Sequence, residues 1–117
     1  MEIWLNPACS KCQIAVAKMH AAGISYTVRR YLDDPPTPEE LRDVVARLDL
    51  EPWDVARDKD ARDAGIDLPR TAAHREDWLR ALAAHPKAIQ RPILAASDGT
   101  TVIGRGDELD RVIAAES

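Results

Sequence analysis

Apolar residues along this chain alternate between strand-like and helical spacing, and the changes mark its elements. Ile3-Trp4-Leu5 is a short apolar run and Tyr26-Thr27-Val28 is β-favouring, with helical periodicity between them. The pattern predicts a βαβ unit. Its helix starts near Ser10, carries Ile14, Ala17 and Ala21 on one face with Val16 and Met19 beside it, and stops at Gly23, which can take the left-handed cap conformation. After Tyr31, the stretch Asp33-Asp34-Pro35-Pro36 breaks regular structure. Thr37 then reads as an N-cap, with Pro38 at the first helical position and Glu40 completing a capping box; Leu41, Val44, Val45 and Leu48 give that helix its apolar stripe. Arg57 to Asp67 is dense in mixed charge and poor in core residues, which places it at the surface. A third helical stripe, Trp78, Leu79 and Leu82, ends before His85-Pro86.

β-character returns at Pro92-Ile93-Leu94, a turn is expected at Asp98-Gly99, and Thr100-Thr101-Val102-Ile103 completes a hairpin. Asp107 is expected to cap a last helix carrying Leu109, Val112 and Ile113, after which Glu116-Ser117 leaves little room for a tail. No internal repeat, low-complexity tract or second domain is visible in the 117 residues. The expectation is a single α/β domain, 1–117, with a helical insertion of about 37–85 between a βαβ and a ββα unit.

Composition narrows the function. With 45% hydrophobic residues the chain can bury a core, and 16 Lys plus Arg against 20 Asp plus Glu give a net charge of -4. That is neither a disordered acidic tail nor a basic coat, and direct binding to a nucleic-acid backbone is disfavoured. The longest apolar runs, such as Ile93 to Ala96, fall well short of the roughly 18 residues of a spanning helix, so no membrane segment is expected. Met1 to Leu5 shows neither a positive leader region nor a sustained apolar one, and a cytoplasmic location is expected. Two cysteines cannot build a disulfide framework, but Cys9-Ser10-Lys11-Cys12 sets them three apart where the first strand turns into the first helix. A Cys-x-x-Cys beside a βαβ pattern is the expected active-site position of a thioredoxin-like fold.

The spacing assigns roles. A cysteine just before a helix faces unpaired backbone N–H groups and the positive end of the dipole, which favour thiolate, so Cys9 is the candidate nucleophile. Cys12, one turn on and less accessible, is the candidate resolving thiol. Lys11 adds positive charge nearby, and Asn6-Pro7 shapes the loop without chemistry of its own. Two other readings of the cysteines stand beside this one: an inert buried pair, and zinc, for which His20, His74 and His85 lack paired ligand spacing. No metal is expected, and His74 and His85 read as helix-end or surface residues. Arginine is the second signal. Arg91 precedes Pro92, a position at which such folds carry a cis proline against the active-site cysteine, and Arg105 ends the next strand. Guanidinium forks near a helix N-terminus suit a tetrahedral oxyanion, although any one of these arginines alone could equally be a solvated surface residue.

At this point the sequence resembles the arsenate reductase (ArsC) family of thioredoxin-like proteins, a superfamily that also holds Spx-type regulators. The residues carrying the resemblance are Asn6-Pro7-Ala8-Cys9-Ser10-Lys11-Cys12, Tyr31-Leu32-Asp33-Asp34-Pro35-Pro36-Thr37 leading into Glu40-Leu41, and His85-Pro86 followed by Arg91-Pro92-Ile93-Leu94. The resemblance implies a three-arginine oxyanion site around the nucleophile. Arg57 looks like the first of these, following the helix of Trp53 to Ala56; Arg91, in Arg-Pro-Ile, looks like the second, and Arg105, in Ile103-Gly104-Arg105, the third. Pro92 and Lys11 would support them. The implied activity is arsenate reduction: Cys9 attacks arsenic, a thiol such as glutathione reduces the adduct, and arsenite leaves. No tightly bound cofactor is implied, only an external thiol reductant of the glutathione, glutaredoxin or thioredoxin type.

Two departures from the family pattern bear on the mechanism. Glutathione-coupled members generally lack a cysteine at the position of Cys12, so a Cys9–Cys12 disulfide would replace glutaredoxin-dependent resolution or mark a redox sensor. Gly106 stands where a proline often follows the third arginine. The alternatives are an ArsC-like thiol reductase with another substrate, and an Spx-like regulator that binds RNA polymerase and uses Cys-x-x-Cys as an oxidation switch. Spx-type chains usually carry a further C-terminal stretch, which a sequence closing at Ser117 is not expected to have, and need not keep an arginine at 105.

Overall fold

A computed structural model describes residues 1–116; Ser117, part of the expected short terminus, lies outside the described residues. The chain forms two compact units, one made of residues 1–31 together with the chain from Arg91 onward, the other of residues 32–90.

The first unit is a four-stranded sheet in the order β2-β1-β3-β4, with β1 at Glu2–Trp4, β2 at Thr27–Arg29, β3 at Ile93–Ala95 and β4 at Thr101–Ile103. β1 runs parallel to β2 and antiparallel to β3, which is antiparallel to β4. The parallel pair needs a crossover, which is helix α1, Ser10–Ala21. Ile3, Leu94 and Val102 are register partners and therefore share one face. They pack with Ala15 and Met19 of α1 and with Leu109 and Val112 of the last helix, α5, Asp107–Glu116. Each large apolar side chain withdrawn from water this way contributes about 1.5–3 kcal/mol relative to exposure. The alternate row, Trp4, Ile93 and Ile103, is buried as well. This is the thioredoxin-like α/β arrangement expected from the order of elements.

The inward face of α1 differs from expectation. Ile14 is 55% exposed and Ala17 and Ala21 are exposed, while Cys12, Ala15 and Met19 are buried with Val16 packed beside them. At ~100° per residue Ile14, Ala17 and Ala21 lie opposite that row. Cys12 acts as a small hydrophobe and completes an i, i+3, i+7 stripe that is invisible while it is counted only as chemistry. Gly23 follows the helix at φ 70, as its cap role requires. Each of three strands begins one residue later than expected: β2 at Thr27, β3 at Ile93 after a proline that has no N–H for the ladder, and β4 at Thr101. Asp107 is the first residue of α5 rather than its cap, because the chain turns through left-handed Gly106, φ 55, immediately before it.

The second unit is helical: α2 at Pro38–Leu48, α3 at Asp58–Asp63 and α4 at Arg75–Ala84, with 3-10 turns at Pro52–Val55, Ala72–His74 and Pro86–Ala88. The expected capping box is present, Glu40 N donating to Thr37 Oγ1 and Thr37 N to Glu40 Oε1, each at 3.1 Å. Leu41 and Val45 of α2 and Trp78, Leu79 and Leu82 of α4 are buried. Arg42 grips Glu76 at 2.6 Å between the two helices. In the charged segment expected at the surface, Ala61 is the buried residue of α3. Trp53 to Ala56, read as a helix, forms only the 3-10 turn Pro52–Val55, with Ala56 extended at φ -89, ψ 137. Among the described residues no helix is long and apolar enough to cross a membrane.

Candidate active site

Cys9 is the residue that opens α1. Its backbone is extended (φ -89, ψ 125), its carbonyl accepts from Gln13 N at 3.2 Å, and its side chain makes no cap hydrogen bond. The approach is set by Asn6, whose carbonyl accepts from Cys9 N and whose Oδ1 accepts from Ala8 N, both at 3.0 Å. This Asx turn leaves the sulfur over the first turn of the helix, where the N–H groups are unpaired.

Burial by itself raises the Cys9 thiol. The backbone N–H of Cys12, the Arg91 side chain, the backbone N–H of Lys11 and the Cys12 thiol all favour the anion, and together they bring it from 9.0 down to about 7. Roughly half the sulfur is then thiolate at neutral pH. Lys11 contributes to this through its backbone amide. Cys12 goes the other way: burial, then the charge of Cys9 and the hydrogen bond with it, push its thiol up to about 11 against a lowering contribution from the Asn6 backbone. Asn6 therefore reaches the chemistry through its main chain as well as shaping the loop. One sulfur is half-exposed and ionisable, the other fully buried and protonated. That asymmetry is what a nucleophile and a resolving thiol need.

Arg91 precedes a cis peptide to Pro92, and its side chain acts on both sulfurs. Pro92 is buried, and its carbonyl accepts from Gly104 N at 2.7 Å, which ties the loop before β3 to the end of β4. A side chain at 104 would collide with Leu94 Cδ1 and come within 2.9 Å of Pro92 Cγ. Position 104 therefore needs glycine because the chains approach closely there. Arg105 follows, exposed in the β4–α5 loop, with its N–H donating to Ile103 O at 2.8 Å; it is not among the leading influences on either sulfur. Arg57, in the helical unit, precedes α3, pairs with Asp60 at 3.1 Å and donates its N–H to Ala88 O at 2.6 Å. Within the first unit the chain thus brings Cys9, Cys12 and Arg91 together with Pro92.

The sequence reading passed over Tyr31. It is fully buried just beyond β2 and interacts electrostatically with Arg91, Cys12 and Cys9. Its place at the head of Tyr31-Leu32-Asp33-Asp34 was the available signal: a tyrosine in front of a polar, proline-broken stretch has little local reason to be buried. His74 and His85 flank α4, and His20 meets Tyr26 at 3.0 Å. Among the described residues no three His, Cys, Asp or Glu side chains converge as metal ligands.

Comparison with known proteins gives the site a context. The chain is 54% identical over 114 residues to an uncharacterised protein in the glnII region of Streptomyces viridochromogenes, covering 95% of this chain and 96% of that one. It is 36% identical over 108 residues to an arsenate reductase of Neisseria meningitidis serogroup A, covering 90% of each. Among solved structures, an arsenate reductase from Vibrio cholerae superimposes with a TM-score of 0.83 at 29% identity, over 96% of this chain and 98% of that one. No protein-family model matches the chain.

Proposed function

The chain belongs to the arsenate reductase (ArsC) family, and on that premise we propose that it reduces arsenate to arsenite at Cys9, with Cys12 as the resolving thiol. The observation that carries this reading is a thiolate lowered to about 7 at a helix start with a guanidinium beside it. A nucleophile, anion-stabilising N–H groups and a fixed cation are what attack on a bound oxyanion requires. The Cys9 thiolate forms an S–As bond as an As–OH group leaves, taking a proton from solvent to depart as water. The Cys12 thiol then attacks the Cys9 sulfur, and its proton passes to an oxygen of the departing arsenite. The S–S bond forms as the S–As bond breaks, and the pair from that bond stays on arsenic, reducing As(V) to As(III). Arsenite leaves, and an external thiol of the glutathione, glutaredoxin or thioredoxin type restores both cysteines.

Arg91 holds and neutralises the oxyanion in this reading, and Pro92 holds the loop behind it. Arg57 and Arg105 complete the family's arginine pattern by resemblance, and a cytoplasmic setting, where such reductants are found, belongs to the same proposal. The test is arsenite formation from arsenate with glutathione plus glutaredoxin, then with thioredoxin, then with neither. Turnover with at least one reductant supports the reading, and the preference identifies the partner. No turnover with any, together with oxidation-dependent capture of RNA polymerase, replaces it with the Spx-like regulator.

A further inference from the structure

Tyr31 presents an anomaly that the thiol chemistry leaves unused. The residue is 0% exposed, and its hydroxyl is a buried polar atom with no hydrogen-bond partner. Such a group is destabilising when left unmet, and native interiors rarely tolerate one without a reason. The surroundings supply the reason. Arg91 acts on the phenol by its charge and through a side-chain interaction that falls short of hydrogen-bond geometry, and each sulfur, when ionised, acts on it as a negative charge. Tyr31 therefore sits where the cation and both reactive sulfurs meet, with a polar hydrogen and nothing to give it to.

We propose that the Tyr31 hydroxyl is a substrate-binding donor, held in reserve to donate a hydrogen bond to an oxygen of the tetrahedral oxyanion that lies between Arg91 and the Cys9 sulfur. A guanidinium and helix N–H groups neutralise an anion but accept several orientations, whereas a short hydroxyl on a rigid, fully packed ring fixes one oxygen in place. The phenol is suited to be a donor and no other thing. Burial first, then the charges of Cys12 and Cys9, outweigh Arg91 and push it up to about 12. It thus keeps its proton wherever Cys9 is ionised, and it cannot compete with the anion for Arg91 as a phenolate would. Unlike the side chain of an exposed arginine, the ring loses little further freedom when the anion arrives. The inference rests on the oxyanion reading above and adds a residue to it.

The test is Tyr31→Phe, which keeps the ring and deletes the hydroxyl. Iodoacetamide alkylation of Cys9 is followed in the intact protein with increasing arsenate, and in parallel with phosphate and sulfate. The concentration giving half-protection is expected to rise roughly ten- to a hundredfold for arsenate, the range for one hydrogen bond to a charged group. The alkylation rate without anion should stay within about twofold of wild type, since Tyr31 is not among the leading influences on Cys9. The urea midpoint should hold or rise, because no native partner is lost. Half-protection unchanged by Tyr31→Phe would overturn the proposal and leave the oxyanion reading standing. A wild type protected by none of the three anions would overturn both. A clear fall in the urea midpoint would also count against the proposal, since it would show that the hydroxyl already serves a protein partner.

Discussion

Where β1 begins, the Met1 ammonium meets Glu116 Oε1 at 3.0 Å, and the same carboxylate accepts from Ser97 N and Ser97 Oγ at 2.7 Å. At the other end of the same strand the chain turns through Asn6 into Cys9, and there a thiolate faces helix N–H groups while a buried phenol has no partner. The two ends belong to one sheet and are three residues of strand apart. At the first, the Met1 ammonium, the Glu116 carboxylate and Ser97 meet one another, and the result is attachment of the N-terminus and the end of β3 to α5. At the second, a lowered thiol, the Arg91 side chain and a buried phenol whose hydroxyl has no hydrogen-bond partner are gathered together. Stability and chemistry are thus separated along the strand direction, so each end can be altered with a different readout.

The largest effect should come from removing the cation at the open end. Arg91→Ala is expected to lower kcat/KM for arsenate about a hundredfold, the loss of one charge-assisted contact in a desolvated site, and to move the pH midpoint of Cys9 alkylation above 7. Steady-state arsenite formation and alkylation against pH check the two halves. If the midpoint moves while turnover holds, Arg91 tunes sulfur and does not hold substrate.

Gly104→Ala attacks the scaffold behind the same end. A methyl group there meets Leu94 and Pro92, which are buried and have nowhere to go, so overpacking of about 1–3 kcal/mol is expected in chemical denaturation, with a loosened Arg91 showing as a raised KM.

At the closed end, the Ser97 amide first, then its hydroxyl and the Met1 ammonium, hold the Glu116 carboxyl at about 2 instead of 4.5. A lowered folded-state value means stabilisation that is fully present above about pH 4.5 and is lost as pH falls through about 2. Glu116→Gln should therefore melt at a lower temperature than wild type at pH 6 and converge with it near pH 2, with arsenate turnover at neutral pH unaffected. Parallel melting curves across that range would show the pin to be ornamental.

The smallest effect is expected at Lys11. Its amide is among the leading influences on the Cys9 anion and is kept in the variant, so Lys11→Ala should leave the alkylation midpoint at about 7. A rise of a full unit would restore the side-chain role suggested by sequence.

Local signals were legible and long-range ones were not. Thr37, Pro38 and Glu40 encode a helix start within four residues, and the capping box formed as read. The stripe of Trp78, Leu79 and Leu82 likewise needs only its own turn pattern. Ile14 misled because hydrophobicity reports what could be buried, whereas the helix face is chosen by which side chains fit against the sheet; small Ala15 and Cys12 fit there. In the site, Cys9 and Cys12 announced themselves by spacing. The proximity of Tyr31 to Arg91 joins positions far apart in sequence and has no periodicity to betray it. Arg105 was matched by its local context, Ile103-Gly104-Arg105, and it lies exposed in the β4–α5 loop.

The sheet also carries a consequence for the order in which the molecule is assembled. β1 pairs with β3 in register Glu2 to Ala95, Ile3 to Leu94 and Trp4 to Ile93, while the whole of 32–90 forms a contiguous unit of its own. On a ribosome, residues 32–90 can make the contacts internal to their own unit as soon as that stretch has emerged. β1 and α1 must wait for a strand that comes some ninety residues later, and such non-local pairing is the slow part of folding. During that interval Cys9 and Cys12 are already exposed in the nascent chain, without Arg91 to lower the one or a finished core to bury the other. The thiol asymmetry on which the chemistry depends is therefore among the last properties the protein acquires.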